Sequence, residues 1–544
     1  MRLIEKKVVY LSNHYTKIRK IFQFVTKNDK FCQKMIEIAQ IHTLSANLEA
    51  NYTHIRKCLK EAQKKSVETL IFPAFSLTGY PVSDELKSSE FVKQCWIYVE
   101  RLLKYTNGLR VVLDIPFLEK NKLVHRLLCL ENGKIKAFSD NSRGWTDVGL
   151  NFGRYFETSE QSQFPKSFKF GLAFASELEQ KLENSSEFEK WLVVDAWSFD
   201  YKNAKTRIKY FCKLAKLHHV EIFFANAVGG QGSLILSGGS AHISPEGKIL
   251  KQYPYFLESF LSSKVAKIPQ SEIEWIYEAL VCGIRDYFNG RGLKTAILGL
   301  SGGIDSAVVL PLLTEALGRK NVLGILLPSQ YSSQHSIDDA VELANNLGVD
   351  YHIIPIEQAF QTMHETLLPV FGKRPFDLAE ENLQARIRGM ILMGISNKFG
   401  HVLLNTSNKS ESAVGYGTLY GDLCGGLAVI GDLYKFQVYE LANFINRKRK
   451  IIPQNSIDKV PSAELRPNQK DSDSLPEYDV LDAVLQLHLE QNLSKNDIIE
   501  KRFDAKTVEK ILNLVKNSNY KRRQTPPQLR ISSSTFGIDR ITTW

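Results

Sequence analysis

The sequence predicts an α/β protein made of two successive units, and three observations lead to that fold class. A chain of 544 residues is too long for a single hydrophobic core. In both halves, short apolar runs of strand length alternate with longer segments whose apolar residues recur at helical spacing. In the second half the helices fall between consecutive strands, so that sheet should be parallel, with a ligand site at the carboxyl ends of its strands.

The first unit is predicted to span residues 35–261. Its strands are expected at 35–40, 69–73, 109–115, 168–174, 191–194 and 221–226, and its helices at 51–65, 91–105 and 204–218. Residues 1–34 are basic and only patchily apolar, so they are interpreted either as an extension of the folded pattern or as sequence upstream of a start at Met35.

A linker over 262–270 leads to the second unit, 271–544. The signature Ser271-x-x-Glu274 predicts the start of a helix, because such a pair can cap the first turn reciprocally. Strands are expected at 295–300, 321–327, 351–356 and 401–406, and helices from Ala307 onward and at 336–347 and 380–398.

A Gly-rich stretch joins the first of these strands to its helix: Gly299-Leu300-Ser301-Gly302-Gly303-Ile304-Asp305-Ser306. The free N–H groups and the positive end of the helix face this turn, which makes it an anion site. Gly302 and Gly303 let phosphate oxygens approach the backbone, and Ser301 and Ser306 add hydroxyl donors. Asp305 would repel phosphate unless it holds Mg²⁺ between itself and the phosphates, so we predict that it is a metal ligand.

The stretch lacks the spacing and the lysine of a Walker-type loop. It resembles the PP-loop of the ATP pyrophosphatases, which split ATP between its α and β phosphates. The resemblance implies catalytic roles for Ser301, Asp305 and Ser306.

Composition restricts the class of partner and the compartment. The net charge of +11 comes without a long run of Lys or Arg, which favours polyanionic small ligands over nucleic acid. No apolar stretch is long enough to span a bilayer. Seven cysteines without a C-x-x-C pair argue against a disulfide framework or a zinc ribbon. We therefore expect a cytoplasmic protein with no nucleic-acid or membrane partner.

The first unit resembles the nitrilase-like amidase domain that is fused to glutamine-dependent NAD⁺ synthetases. The landmarks are Phe72-Pro73, Leu77-Thr78-Gly79-Tyr80-Pro81, Gly153-Arg154-Tyr155-Phe156, Asn226-Ala227-Val228-Gly229-Gly230-Gln231 and Gly238-Gly239-Ser240. The resemblance implies an α-β-β-α sandwich.

This chain departs from the Glu–Lys–Cys triad of that family at all three positions. The base falls on Ala74, the lysine near Asn141 with Lys136 as a possible substitute, and the nucleophile on Ala175. Without a thiolate and its base, acyl-enzyme chemistry of this kind is excluded. Ser176 is the alternative nucleophile, but no base for it is visible, so the unit is interpreted as a scaffold without amidase activity.

The second unit looks very like NAD⁺ synthetase. The match is carried by Pro328-Ser329-Gln330-Tyr331-Ser332-Ser333, Glu381-Asn382-Leu383-Gln384-Ala385-Arg386-Ile387-Arg388, Asn405-Thr406-Ser407-Asn408-Lys409-Ser410-Glu411, Gly415-Tyr416-Gly417-Thr418-Leu419-Tyr420-Gly421-Asp422, Pro461-Ser462-Ala463-Glu464-Leu465-Arg466-Pro467 and Lys521-Arg522-Arg523-Gln524-Thr525-Pro526-Pro527.

The resemblance implies a reaction: ATP activates the carboxylate of deamido-NAD⁺ as an acyl-adenylate, and ammonia displaces AMP to give NAD⁺. It also implies site residues. ATP would contact the Gly299–Ser306 stretch, Thr406, Lys435 and Ser462; deamido-NAD⁺ would contact Asn382, Glu411 and Lys521; Mg²⁺ would bind Asp305 and Glu411.

The sequence also allows other nitrogen donors and other functions. Glutamine could be used through a non-standard site or a separate glutaminase docked on the first unit. The protein could instead be a nitrilase-type hydrolase or a non-catalytic nucleotide-binding protein. The family further implies a homodimer or a larger homo-oligomer.

Overall fold

The computed structural model describes residues 35–120, 122–143, 155–185, 187–261 and 268–540. The segment 1–34, the landmark residues Gly153 and Arg154 and most of the predicted linker lie outside the described residues.

The first half of the described chain contains, in order, β1 (Ile36–Ile38), α1 (Leu48–Lys64), β2 (Thr69–Ile71), α2 (Ser89–Leu103), β3 (Arg110–Glu119), β4 (Lys122–Glu131), β5 (Lys134–Asp140), β6 (Ser162–Gln163), β7 (Phe170–Phe174), α3 (Leu178–Asn184), β8 (Lys190–Asp195), α4 (Thr206–His218), β9 (Glu221–Asn226), β10 (Val228–Gln231), β11 (Leu234–Ser237), β12 (Ala241–Ile243) and β13 (Ile249–Gln252).

Two sheets of this half lie face to face. One has the strand order β1-β2-β3-β4-β5-β6 and the other β13-β12-β9-β8-β7. Side chains alternate along each strand, so Leu172 and Phe174 of β7 enter the core between the sheets while Ala173 packs on the opposite face. Helices α1 and α2 cover the outer face of the first sheet, and α3 and α4 that of the second. The predicted α-β-β-α sandwich is confirmed.

The second half contains α5 (Glu272–Asn289), β14 (Ala296–Gly299), α6 (Ile304–Leu317), β15 (Val322–Leu326), α7 (Gln334–Leu347), β16 (Asp350–Ile353), α8 (Glu357–Phe371), α9 (Leu378–Phe399), β17 (Val402–Asn405), α10 (Lys409–Val414), β18 (Leu427–Ala428), α11 (Lys435–Asn446), α12 (Gln454–Asp458), α13 (Tyr478–Leu489), α14 (Lys495–Glu500), α15 (Ala505–Asn517) and α16 (Asn519–Arg522).

The strands of this half form one parallel sheet in the order β16-β15-β14-β17-β18. Ala296 and Leu298 of β14 face the layer that includes α5, α6 and α11, whereas Ile297 faces α9. With helices on both faces, the carboxyl ends of the strands form the open edge where ligands bind in such folds. The predicted parallel sheet is confirmed.

Several element boundaries in the structure differ from those predicted from the sequence. The helix after the Gly-rich stretch begins at Ile304, three residues earlier than predicted. At the start of α5, Ser271 Oγ accepts from the N–H of Glu274, but the Glu274 carboxylate accepts from Gln270 N, so the reciprocal capping box is incomplete. The prediction missed α8, which has no buried residue.

The two halves share a core. Trp275 of α5 stacks on Phe199 at 6.3 Å between ring centroids and meets Phe256 edge-on at 5.9 Å. Asp286, also on α5, accepts a 2.8 Å hydrogen bond from Gly230 N. Trp275, Phe199 and Phe256 belong to one buried cluster that continues into the parallel sheet. Within the described residues, no helix has the length and hydropathy needed to cross a bilayer.

Candidate functional site

The Gly-rich turn lies at the carboxyl edge of the parallel sheet, between β14 and α6. Gly302 has φ +74°, and a Cβ there would lie 2.1 Å from the carbonyl oxygen of Ser336. Only glycine therefore fits where this turn packs against α7. Leu300 and Ile304 are buried, so these two predicted residues can offer a ligand only their backbone.

Hydroxyl groups brace the turn. Ser306 Oγ lies 3.3 Å from Ser301 Oγ and donates to Gly303 O at 3.1 Å, while Gly303 N donates to Ser301 Oγ at 3.2 Å. The backbone N–H groups at the first turn of α6 have no intrahelical acceptor, as at every helix start. They face the sheet edge together with the positive end of the helix dipole, which suits an anion.

Three charged side chains meet next to this turn. Lys435 Nζ lies 2.6 Å from Asp305 Oδ2 and 3.2 Å from Glu411 Oε1. Asp305 Oδ1 also accepts from Asn408 Nδ2 at 2.9 Å. The three come from separate helices, since Asp305 is in the first turn of α6, Glu411 in α10 and Lys435 at the first position of α11. The structure thus brings together three of the predicted site residues.

Burial and mutual charge shift the titration of this cluster. Burial, followed by the charge of Asp305, raises the pKa of Glu411 to about 8, with Lys435 opposing. Burial lowers the pKa of Lys435, but the carboxylates of Asp305 and Glu411 outweigh it, so that pKa is raised overall. The ammonium therefore keeps its positive charge, and Glu411 binds a proton more readily than an ordinary carboxylate.

Local capping positions these groups. Asn408 caps α10, with its Oδ1 accepting from Glu411 N at 3.0 Å. Ser410 Oγ accepts from Lys435 N at 2.9 Å, which ties the start of α11 to α10. Ser410 in turn donates to Asp482 of α13, and Asp482 also accepts from Phe436 N at 3.0 Å.

The remaining predicted ligands lie around this center. Thr406 directly follows β17 at the same sheet edge. Asn382 accepts from Thr418 Oγ1 at 2.8 Å, and Lys521 donates to the carbonyls of Gly415 and Gly417 at 2.8 and 2.7 Å. Both polar side chains are therefore engaged by the loop that follows α10.

Ser462 is exposed, and its Oγ accepts only from Glu464 N at 3.1 Å among the described residues. The same loop contacts the start of α7 through Glu464, which accepts from Ser333 Oγ at 2.8 Å and from Ser336 Oγ at 2.7 Å. Sequence reasoning assigned Glu464 no role, although it lies inside a quoted motif.

Arg388 was also missed. Its Nε donates to Leu327 O at 2.9 Å, and burial lowers its pKa to about 10, with Asp422 and Glu464 opposing. No ion pair to it is formed among the described residues. A desolvated guanidinium at the carboxyl edge of the sheet suits an anionic substrate group.

In the first half, the predicted base and nucleophile positions lie side by side. Ala74 N donates to Asp195 O at 3.1 Å and Ala175 N donates to Val194 O at 3.0 Å. Consecutive carbonyls at the end of β8 therefore hold the two alanines. Both methyl groups are buried.

Asn141, the predicted position of the triad lysine, is linked to the two alanines through His125. Asn141 N donates to His125 O at 2.9 Å, and the His125 ring contacts Phe75 and Phe174, the neighbours of the two alanines, at 4.5 and 4.4 Å between centroids. The ring also hydrogen-bonds the buried Asp114 carboxylate. Lys136 does not reach this point, since it lies five residues earlier along β5, about 16 Å away.

Ser176 Oγ is buried with no hydrogen-bond partner among the described residues. The adjacent Glu177 is fully engaged: Ser142 N and Oγ donate to it at 2.9 Å, Phe174 N at 3.1 Å and Lys181 Nζ at 2.6 Å. This Glu–Lys pair, which sequence reasoning missed, is a structural clamp and makes no contact with Ser176.

Comparison with known proteins covers both halves. The sequence model of the family described as NAD synthase matches residues 276–525. A glutamine-dependent NAD(+) synthetase from Synechocystis is 39% identical over 92% of this chain and 97% of its own length, and one from Acinetobacter baylyi is 37% identical over 93% and 97%.

Among solved structures, a glutamine-dependent NAD+ synthetase from Acinetobacter baumannii in complex with ADP superposes with a TM-score of 0.75. It is 33% identical and covers 93% of this chain and 97% of that one. A glutamine-dependent NAD(+) synthetase from Cytophaga hutchinsonii has a TM-score of 0.77 at 19% identity, with coverage of 92% and 97%, which shows the shared fold.

Proposed function

This chain belongs to the two-domain NAD⁺ synthetase family of ATP-dependent C–N ligases, and we propose that it makes NAD⁺ from deamido-NAD⁺ with free ammonia as its nitrogen donor. The observation that carries the ammonia proposal is the pair of buried alanines, Ala74 and Ala175, at the base and nucleophile positions of the amidase-like half. Residues 35–261 would be the amidase-like domain and residues 271–544 the synthetase domain.

The second half carries the activation step. A carboxylate oxygen of deamido-NAD⁺ attacks the α-phosphorus of ATP, the bond from that phosphorus to the bridging oxygen breaks, and pyrophosphate leaves. The Gly-rich turn would hold the pyrophosphate on the free N–H groups of α6 and on the hydroxyls of Ser301 and Ser306. Lys435 would meet the phosphate charge with an ammonium that its neighbours keep protonated.

The carboxylates fit a divalent cation. Asp305 and Glu411 converge on a single positive charge, and a Mg²⁺ site commonly has one or two carboxylates completed by substrate phosphates. Within the described residues, no cluster of three or more metal-binding side chains occurs. When bound, Mg²⁺ would neutralise charge on the departing pyrophosphate.

The amide then forms at the acyl carbon. The nitrogen lone pair of ammonia attacks this carbon, the bond to the AMP oxygen breaks, and the nitrogen loses a proton. Asn382, Lys521 and Arg388 would orient the dinucleotide, and Thr406 and Ser462 would contact ATP.

Under this proposal, the described residues of the first half do not release ammonia from glutamine. Ser176 has no base in contact, and the neighbouring Glu177 is saturated with donors. The alternative is that a separate glutaminase docks on this half.

Isotope transfer tests the activation chemistry. Deamido-NAD⁺ labelled with ¹⁸O in its nicotinate carboxylate is converted with ATP and ammonium, and the AMP is analysed by mass spectrometry. One ¹⁸O in the phosphate of AMP is expected, since the attacking oxygen leaves with AMP. Unlabelled AMP would rule out the acyl-adenylate.

A second copy of the chain is the proposed partner. Helix α8 has no buried residue, and Leu378, Met390 and Phe399 of α9 are exposed by 67%, 59% and 67%. Met390→Asp should shift the sedimentation velocity toward monomer because it replaces an exposed apolar side chain of α9 with a charge. Leu217→Asp, on the exposed face of α4, is the matched control, and an unchanged oligomer in Met390→Asp would contradict the assignment.

A further inference from the structure

A cavity of about 250 Å³ lies on the far side of the synthetase half, bounded by α5, the ends of α6 and α7, and the segment after α11. It has room for roughly eight water molecules at about 30 Å³ each. Glu315, which lines it, follows Asp305 by ten residues along α6, or about 15 Å. This distal cavity is therefore separate from the adenylation site.

One wall of the distal cavity is apolar. Pro311, Leu347 and Ile451 line it together with the ring of Tyr277. Tyr277 packs on Phe444 at 5.4 Å between ring centroids, which fixes the orientation of its ring. A ligand with an apolar or aromatic side chain would find a preformed surface here.

The rim carries charges of both signs that do not neutralise each other. Arg447 and Arg449 line the cavity together with Glu315, and among the described residues none of the three forms an ion pair. Arg447 is held over the Phe444 ring at 3.4 Å, and Arg449 donates to Asn346 O at 2.9 Å. Each guanidinium has five N–H donors, so both keep donors for a ligand.

Glu315 is exposed and lies in the last turn of α6. The negative end of the helix dipole mildly disfavours a second negative charge there. Arg447 and Arg449 follow the C-terminal end of α11, where a positive charge is favourable. Glu315 instead places a negative charge at the C-terminal end of α6, and it has no ion-pair partner among the described residues. Such local violations are expected at functional positions.

Tyr277 lines the same cavity as the charged side chains. Its hydroxyl forms no hydrogen bond among the described residues. Burial raises the pKa of Tyr277 to about 12, the carboxylates of Glu315 and Glu278 add to the rise, and Arg447 opposes it. One cavity thus presents a carboxylate, guanidinium groups and an unpartnered phenol around a single space.

We propose that the distal cavity binds a small zwitterion of the free α-amino-acid class. The ligand carboxylate binds Arg447 and Arg449, its ammonium binds Glu315, and its side chain packs on the apolar wall. A ligand with both charges fits better than an anion alone, because an anion would leave Glu315 unpaired and facing it.

Thermal unfolding of the full chain with each of the twenty proteinogenic L-amino acids at millimolar concentration is the first measurement. At least one should raise Tm, because a ligand of the folded state stabilises it. That amino acid is then titrated by calorimetry beside its deaminated acid and its decarboxylated amine. Each single-charge analogue should bind at least about ten-fold more weakly.

Variants assign the binding to the cavity. In Glu315→Gln, the amino acid should bind about ten-fold more weakly and lose its advantage over the deaminated acid. The Arg449→Gln variant should bind the amino acid no more tightly than its decarboxylated amine. Glu342→Gln, an exposed glutamate of α7 outside the cavity, should leave the affinity unchanged. If none of the twenty amino acids raises Tm, or Glu315→Gln keeps full affinity and preference, the proposal is wrong.

Discussion

At the scale of single residues, the proposed adenylation site holds opposite charges close together in a partly buried setting. Lys435 is 2% exposed, and it has two carboxylate neighbours, Asp305 and Glu411. Removing one partner from such a group leaves charge uncompensated, which is costly. Each of the three charges therefore depends on its neighbours, and a change at one of them should alter the other two.

Replacing Asp305 by Asn should leave the fold intact and lower kcat/KM by about 10²-fold or more, because a neutral amide cannot balance the charge of Mg²⁺. Steady-state NAD⁺ formation at saturating ammonium measures this. Asp350→Asn, at the exposed start of β16, is the matched control. Near-normal turnover of the Asp305 variant would remove that residue from the mechanism.

Gly302→Ala should abolish ATP binding or unfold the turn. The new Cβ would lie 2.1 Å from Ser336 O, and the backbone at φ +74° is strained for alanine. Gly394→Ala is the control, because a Cβ there meets nothing within 4 Å. Calorimetric titration with ATP checks the result, and unchanged affinity would show that the turn is not the phosphate site.

At the scale of secondary-structure elements, the site depends on the starts of α10 and α11 being held together. Asp482 of α13 accepts from Ser410 of α10 and from Phe436 N of α11. Burial raises the pKa of Asp482 to about 6, with these two donors opposing. The buried Asp482 carboxylate therefore holds together the helix starts that carry Glu411 and Lys435.

This gives stability a pH dependence with a definite sign. Because the folded-state pKa of Asp482 is raised from 3.8 to about 6, its favourable contribution is complete below pH 3.8 and is lost as pH rises through 6. Asn mimics the protonated form. Asp482→Asn should therefore gain up to about 3 kcal/mol relative to wild type between pH 4 and pH 7. Urea unfolding at both pH values measures this difference, and a pH-independent difference would contradict the assignment.

Much at this scale could be predicted from sequence. The helix α6 and its Gly-rich start were evident because apolar runs and glycine spacing are local signals. Helix α8 was missed although Phe360, Met363 and Leu367 recur at helical spacing, so its local signal was present in the sequence. The contacts of Asp482, Glu464 and Arg388 join residues 46 or more positions apart in the chain, and a single sequence has no local pattern for them.

At the scale of the whole molecule, the two halves are parts of one packed body. Trp275 of α5 packs on Phe199 and Phe256 of the first half. The first half thus contributes buried side chains to the core of the second half. The division into 35–261 and 271–544 remains a prediction from sequence.

Trp275→Ala should destabilise the protein by about 3–5 kcal/mol and separate the unfolding of the two halves. Differential scanning calorimetry should show one transition for the wild type and two for the variant. Trp96→Ala, at a partly exposed position in α2, should keep a single transition. Two independent transitions in the wild type would contradict a shared core.

A comparison of ammonium with glutamine as nitrogen source tests whether the protein uses free ammonia. Purified protein is given ATP, Mg²⁺ and deamido-NAD⁺ with either ammonium or glutamine in ammonia-free buffer, and NAD⁺ and glutamate are measured. With ammonium we expect robust NAD⁺ formation that rises with pH, because only free ammonia carries the attacking lone pair. With glutamine we expect little NAD⁺. Turnover with glutamine comparable to that with ammonium, accompanied by one glutamate per NAD⁺, would contradict this expectation.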